Sequence, residues 1–372
     1  MKEGWEYKKL GEICEIKAGY TPKSEEISYI GDIPYFKVGD MNSEGNETYL
    51  HKTDSYLSKD VKYFPKNSIV FPKNGAAIAT NKKRILSQPS VVDLNTAILI
   101  PNVTQSVKFL FYFLNNIDFK DITRGGAVPT LDLKELKLYK IPNLTLEEQK
   151  RIVEELDLLS GIIEKQKQQL KELDTLAQSI FYDMFGDPVA NEKGWEIKKL
   201  KDVSTLYNGR AYKQNELLKA GKYKVLRVGN FFTNNEFYYS NLELESEKYC
   251  NRGDLLFAWS ASFGAFIWKG IKVIYHYHIW KVEFNRNLLN IHFYRFLLNT
   301  MTSYFMKDVH GIGMVHLTKS GMEQYKLPIP PLPLQNLFAS KIEAIEKQKE
   351  AITKSIEETQ KLFDYTMDKY FG

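Results

Sequence analysis

Cysteine is nearly absent from this sequence. Cys14 and Cys250 are the only two among 372 residues. Such isolated thiols exclude a disulfide framework and a thiolate metal site, and a cytoplasmic location is expected. No stretch approaches the roughly 18 consecutive apolar residues of a membrane span. The opening MKEGWEYKKL lacks the apolar run of a signal peptide. Histidine is scarce as well, six in all. His276 and His278 alternate on one strand, but no Cys, Asp or Glu stands at a spacing that would complete a site, so no metal is expected and both should pack or contact phosphate. Phosphate loops of the form G-x-x-x-x-G-K-[ST], G-x-G-x-x-G turns, and the Asn/Asp-Pro-Pro-aromatic tetrapeptide of adenine methyltransferases are all missing. With those signatures missing, a binding module with no catalytic residues is expected.

Ordinary bulk numbers, 43% hydrophobic and 26% charged, describe a globular chain long enough for two domains. The net charge of +5 is unevenly spread. Residues 147–184 and 335–372 together hold 11 basic and 16 acidic residues, which leaves 40 basic and 30 acidic residues elsewhere. Basic domains joined by acidic helices suit a polyanion on the domains and a protein on the helices, although charge alone fits a lysine-rich surface equally well.

An internal repeat organises everything else. Gly4-Trp5-Glu6 recurs as Gly194-Trp195-Glu196, and Tyr35–Asp40 matches Val225–Asn230 at the same offset. Lys66–Phe71 matches Arg252–Phe257, and the loop Gly125-Gly126-Ala127-Val128-Pro129-Thr130-Leu131 matches Gly311–Leu317. Met184-Phe185-Gly186 and Tyr370-Phe371-Gly372 close the two copies. Short apolar runs at 33–38, 68–71, 224–228, 255–259 and 279–284 predict strands, and 107–115 and 289–304 predict amphipathic helices. Between the landmarks, 19–46 shares little with 210–241, and 72–91 shares little with 260–275. Divergent loops on a common scaffold fit two recognition domains with different targets, or drift in unconstrained loops. Trp5 and Trp195, repeated on the scaffold, are expected in the core.

Two stretches carry a seam stepping by four and three residues. The first runs through Ile152, Leu156, Leu159, Ile163, Leu170, Leu173, Ile180 and Met184, and the second through Ile342, Ile345, Ile352, Ile356 and Phe363. This is coiled-coil spacing, with Gln166 and Lys349 as polar breaks. Each stretch follows a proline-bearing lead-in and stops at a glycine. The expected fold is α+β: two similar mixed α/β domains joined by two long helices. These would pair as an antiparallel coiled coil, giving intrachain pseudo-twofold symmetry with the domains at opposite ends. The expected segments are 1–146, 147–190, 191–334 and 335–372.

The Gly-Trp-Glu openings, the glycine loops before a leucine, Ile141-Pro142-Asn143-Leu144-Thr145-Leu146-Glu147-Glu148-Gln149 and the Met-Phe-Gly/Tyr-Phe-Gly closures resemble the specificity subunit of type I restriction–modification systems. The resemblance covers nearly the whole chain. The second lead-in reads Leu334-Gln335-Asn336-Leu337, so the Glu-Gln role is not carried to it. The resemblance implies two target-recognition domains, each reading half of a bipartite, asymmetric sequence in double-stranded DNA, with helices that set the unread spacer. It also implies two methyltransferase subunits docked on helices and domains, which methylate adenine with S-adenosylmethionine. Motor–nuclease subunits using ATP and Mg would join for cleavage. This chain itself would hold no cofactor.

For DNA contacts, glycine lets backbone amides approach a phosphate, and Arg or Asn can bond base edges in pairs. In the first copy this singles out Lys73, Asn74 and Gly75, the run Lys82, Lys83 and Arg84, and Arg124, Gly125 and Gly126. In the second it singles out Arg210, Lys213, Trp259, Ser260, Ser262, His310, Gly311 and His316. Three other readings compete: a stand-alone DNA-binding protein that homodimerises through its helices, a coiled-coil scaffold, and an enzyme with an unrecognised site. The duplication already disfavours the homodimer, because one chain supplies both readers.

Overall fold

The structure, a computed structural model, describes residues 4–58, 61–126, 128–232, 236–260, 262–308 and 317–372. It divides into two compact units: Met1–Gln166 with Ser355–Gly372, and Lys167–Lys354.

In the first unit an apolar run, Ile69–Pro72, lies inside a five-stranded sheet. Its neighbours are Thr96–Pro101 and Arg84–Leu86, with Cys14–Ala18 and Tyr49–Leu50 beyond them. Because side chains alternate along a strand, the run divides between two cores. Ile69 and Phe71 face the main core under helix Val107–Asn115, while Val70 joins Phe36, Leu50 and Ile98 on the other face. The second unit repeats this in Leu255–Ser260: Leu255 and Phe257 enter the main core under helix Ile291–Thr300, and Leu256 enters the smaller one. The predicted helix over 289–304 is broken at Met301, the shared cap of Ile291–Thr300 and Thr302–Phe305. A second sheet in each unit contains a parallel pair, Phe36 beside Val92 and Leu226 beside Tyr275.

The two copies are more alike than their sequences. The stretches 19–46 and 210–241, read above as dissimilar, fold into the same succession. Each has a 3₁₀ turn (Ser24–Glu26, Gln214–Glu216), a strand (Ile33–Phe36, Tyr223–Leu226) and a second 3₁₀ turn (Val38–Asn42, Val228–Phe231). The turns are capped alike, with Glu26 and Glu216 accepting from the Lys23 and Lys213 amides. Side-chain identity drifted where the backbone bonding pattern did not.

The long helices are Leu146–Phe185 and Leu332–Phe371. The second starts ahead of the expected residue 335 because Pro333 is tolerated in a first helical turn. Within the first unit, Tyr370 donates to Glu155 and Gln166 to Ser355, so numbers rise on one helix as they fall on the other. Within the second, Lys349 pairs with Asp174 at 2.6 Å and Phe338 packs on Phe181, again antiparallel. Both polar breaks therefore make cross-helix polar contacts. Ile152, Leu156, Leu159, Ile163, Ile342 and Ile345 are buried; Leu170, Leu173, Ile180, Met184, Ile352, Ile356 and Phe363 are half-buried.

The C-terminal end of each long helix packs against a helix of the unit in which that end lies. Phe185 packs on Phe293 in the second unit, and Phe371 on Phe109 in the first. Gly186, at φ +75°, ends the first helix in the left-handed region that suits glycine. Trp195 is half-buried rather than part of the core, because its indole N–H must reach the Phe185 carbonyl at the helix end. Trp5 is likewise partly buried, packed against the main core of its unit.

At the helix starts, Gln149 is fully buried; its amide accepts from the Ser106 N–H at 2.8 Å and donates to the Leu144 carbonyl. Gln335, also fully buried, accepts from the Asn290 N–H and donates to the Pro330 and Leu288 carbonyls. The glutamine function is thus present in both lead-ins. The second lacks the Thr145–Glu148 cap of the first, with Pro331 and Leu334 in those places. Replacing either glutamine with leucine strands a buried N–H and a carbonyl, so each variant should lose about 1–3 kcal/mol. Urea titration checks this, and a loss below about 0.5 kcal/mol would mean that the amide is dispensable.

Candidate nucleic-acid interface

Three chain segments named from sequence or lying beside such residues meet at one corner of each unit. In the first unit the end of strand Ile69–Pro72 runs into Lys73, whose N–H donates to the Asn95 carbonyl at 2.7 Å. Its carbonyl accepts from the Leu131 N–H at 2.8 Å. In the second unit Trp259 stands in the same place: its N–H donates to the His278 carbonyl at 3.1 Å and its carbonyl accepts from Leu317 at 3.2 Å. The strand end, a tight turn and the segment closing the glycine loop are therefore joined identically. In the first unit the loop leaves through the short hairpin Thr123–Arg124 with Thr130–Leu131, and the Gly75 N–H donates to the Pro129 carbonyl. Lys73, Asn74, Gly75, Arg124, Gly125 and Gly126 thus share one neighbourhood. His310, Gly311 and His316 lie outside the described residues.

At this corner lies a turn of which the sequence marks only His276 and His278, as packing or phosphate-contacting residues. In the first unit it is Asp93-Leu94-Asn95-Thr96, closed by the Thr96 N–H on the Asp93 carbonyl at 3.0 Å. In the second it is His276-Tyr277-His278-Ile279, closed by Ile279 on His276 at the same distance. The available signal was a short polar insert between two apolar runs, Val91-Val92 and Ala97–Ile100 in one copy and Val273–Tyr275 and Ile279–Val282 in the other.

Their side chains differ in chemistry. Asp93 is buried, its Oδ1 has no hydrogen-bond partner, and burial raises its carboxyl above the usual range. The Asn74 amide reaches the Asn95 side-chain oxygen at 3.4 Å. In the second unit Trp259 stacks on Trp280 at 5.4 Å and meets His278 edge-on at 5.2 Å, while its indole N–H donates to the Tyr277 carbonyl. Burial, then His278 and Arg227, pushes His276 down to about 4, so this imidazole is neutral near pH 7.

The remaining basic residues separate by environment. Lys82 is exposed to solvent on one side and bonds Asn42. Lys83 is only 1% exposed: its ammonium is held by Asn81 and the Ile117 carbonyl over the Phe119 ring, and burial lowers it to about 7. It anchors the fold from inside and presents no charge to a phosphate. Arg84 donates to the Met41 and Lys83 carbonyls. The run is therefore not one basic surface, because the backbone just ahead of strand Arg84–Leu86 turns its middle member inward onto Asn81 and the Ile117 carbonyl. Arg124 pairs with Asp132 yet keeps most of its side chain in solvent. Arg210 forms a two-bond fork with Glu216, whose carboxyl that fork holds well below the usual range. Lys213 is exposed, Ser260 buried and Ser262 exposed.

Among the described residues, no cluster of three His, Cys, Asp or Glu is arranged to hold a metal, and no helix is long and apolar enough to cross a membrane.

Comparison with known proteins agrees with this duplicated architecture. The family model described as type I restriction modification DNA specificity domain matches twice, at residues 2–174 and 192–361. The MjaIX type I restriction enzyme specificity subunit of Methanocaldococcus jannaschii is 24% identical, over 93% of this chain and 87% of the relative. The EcoR124I/EcoR124II specificity subunit of Escherichia coli is 30% identical over 42% of this chain and 41% of its own length. The fold is that of the type I S subunit of M. genitalium, with a TM-score of 0.59 and 17% identity, covering 99% of this chain and 96% of that one. A chain solved in a study of type I assembly and conformational transition matches at TM-score 0.57, with 17% identity over 100% of this chain and 98% of that one. Two copies of the family domain, in one chain and covering most of it, establish that the protein belongs to the type I restriction–modification DNA specificity family, as a recognition subunit rather than a catalyst.

Proposed function

We propose that this chain selects the DNA target of a type I restriction–modification complex, with each unit reading one half of a bipartite, asymmetric sequence. The observation that carries this reading is the corner. One backbone arrangement occurs twice in a single chain, furnished with amides and a carboxyl in one unit and with imidazoles and an indole in the other. A chain that read the same half-site twice would need the same side chains twice.

In this reading the two 40-residue helices act as the spacer between the half-sites and as the docking surface for two methyltransferase subunits. S-adenosylmethionine would be held by those subunits, and ATP and Mg by the motor–nuclease subunits that join for cleavage. The acidic balance of the helices supports a protein partner there, and the basic remainder supports DNA on the domains.

Inserting one heptad at matching levels of both helices lengthens each by about 10 Å, or about 3 base pairs of duplex. Methylome sequencing of a host carrying the variant with its methyltransferase should show both half-sites unchanged and the spacer longer. An unchanged spacer, or altered half-sites, would rule out the ruler.

A further inference from the structure

We infer that the four-residue turns at 93–96 and 276–279 are the elements that choose bases in the two half-sites. This rests on the recognition reading above and assigns it to particular residues.

The turns are held by equivalent backbone bonds in the two units. The Asp93 N–H donates to the Phe36 carbonyl and the His276 N–H to Leu226. Gly19 donates to Thr96 and Gly209 to Ile279; Tyr20 donates to Val92 and Arg210 to Tyr275. Both glycines press so closely on the turn that a Cβ on Gly19 would lie 2.1 Å from the Asp93 carbonyl oxygen, and one on Gly209 would lie 2.4 Å from that of His276. None of these contacts uses a side chain of the turn. The backbone is therefore fixed by its surroundings, while positions 93–95 and 276–278 are free to change chemistry without changing shape. They have done so completely between the copies, from Asp-Leu-Asn to His-Tyr-His.

The side chains available suit base edges better than phosphates. Neither turn contains Lys or Arg. In the first unit Asn95 is exposed beside Asn74, and paired amide donors and acceptors match the adenine edge in the major groove. In the second, His276, neutral near pH 7, offers one donor and one acceptor beside the exposed Tyr277. Sequence-tolerant phosphate contacts would come from the flanking Lys73 and Lys213, which add affinity but no discrimination.

The test uses the full chain with its methyltransferase subunits, selecting duplexes from a randomised pool. Asn95→Ala gives up side-chain bonds to Asp93 and Asn74, and Tyr277→Ala gives up ring contacts with Trp259 and His278, but the backbone bonds that hold each turn remain, so both variants should stay folded in a thermal unfolding scan. Asn95→Ala should relax the preferred base about tenfold at one or two positions of one half-site only. Tyr277→Ala should do the same in the other half only. Wild-type selectivity in both variants, or equal loss in both halves from either one, overturns the assignment while leaving the recognition reading intact. Failure of the wild-type complex to enrich any sequence overturns the recognition reading, and the turn assignment with it.

Discussion

Replacing Phe181 with alanine should cost the second unit about 3–5 kcal/mol, the range for deleting a fully buried aromatic ring. Phe181 has no solvent exposure, and its ring lies within 6.1 Å of those of Phe185, Phe293, Phe296 and Phe338. These rings come from both long helices and from helix Ile291–Thr300, so one deletion loosens three elements at once. Neighbouring rings are themselves rigid and cannot collapse into the gap, which places the loss toward the upper part of that range. Four of the five tryptophans, at 195, 259, 268 and 280, belong to this unit, so fluorescence reports its unfolding directly. The urea midpoint should fall by about 1–2 M. A fall below about 0.3 M would show that the helix termini are not cemented here. Phe181→Leu keeps most of the apolar volume and should lose clearly less.

The ring cluster also shows which parts of the molecule were legible from residues alone. The duplication, the seam and the antiparallel order of the helices rest on repetition and periodicity, which survive in a one-dimensional string. Phe185 and Phe371 could be paired as closures for that reason, and both lie where their copies' helix ends meet a domain helix. Burial at a single position is different. Lys82, Lys83 and Arg84 read as a uniform basic run, yet only the backbone path decides that Lys83 points inward onto Phe119. Gln335 was passed over because its preceding glutamate is absent, although the glutamine alone carries the buried bonds.

The corner turn was hidden for a third reason. The offset between copies is 190 at the opening landmarks, 186 at the strand ends and 183 at the turn, because the loops between them differ in length. Asp93 and His276 therefore align with nothing similar until the backbone bonds superimpose them. Asn74 and Trp259 were identified from sequence, but that they adjoin a turn of opposite chemistry in each copy follows from sheet pairing, a non-local property.

The glycines behind those turns give the second large effect. Gly209→Ala would put a methyl 2.3 Å from the Tyr275 carbonyl oxygen and 2.4 Å from that of His276. Both obstacles are backbone in a paired strand and its turn, so neither can swing aside as a flexible side chain would. The turn must move outward by about an ångström, stretching the bonds from Gly209 to Ile279 and from Arg210 to Tyr275, at a cost of about 3 kcal/mol. Gly19→Ala, with its methyl 2.1 Å from the Asp93 oxygen, should cost the first unit at least as much. Gly39→Ala supplies the control: its Cβ would meet nothing within 4 Å, and its stability should stay within about 0.5 kcal/mol of wild type. The tryptophan signal should report Gly209→Ala in full, while Gly19→Ala, with only Trp5 in its unit, is better followed by far-ultraviolet circular dichroism. If both variants unfold with the control, the close approach does not hold the turns. If each destabilises its own unit and blurs only one half of the selected sequence, then the backbone that fixes the turn is also the backbone that fixes recognition.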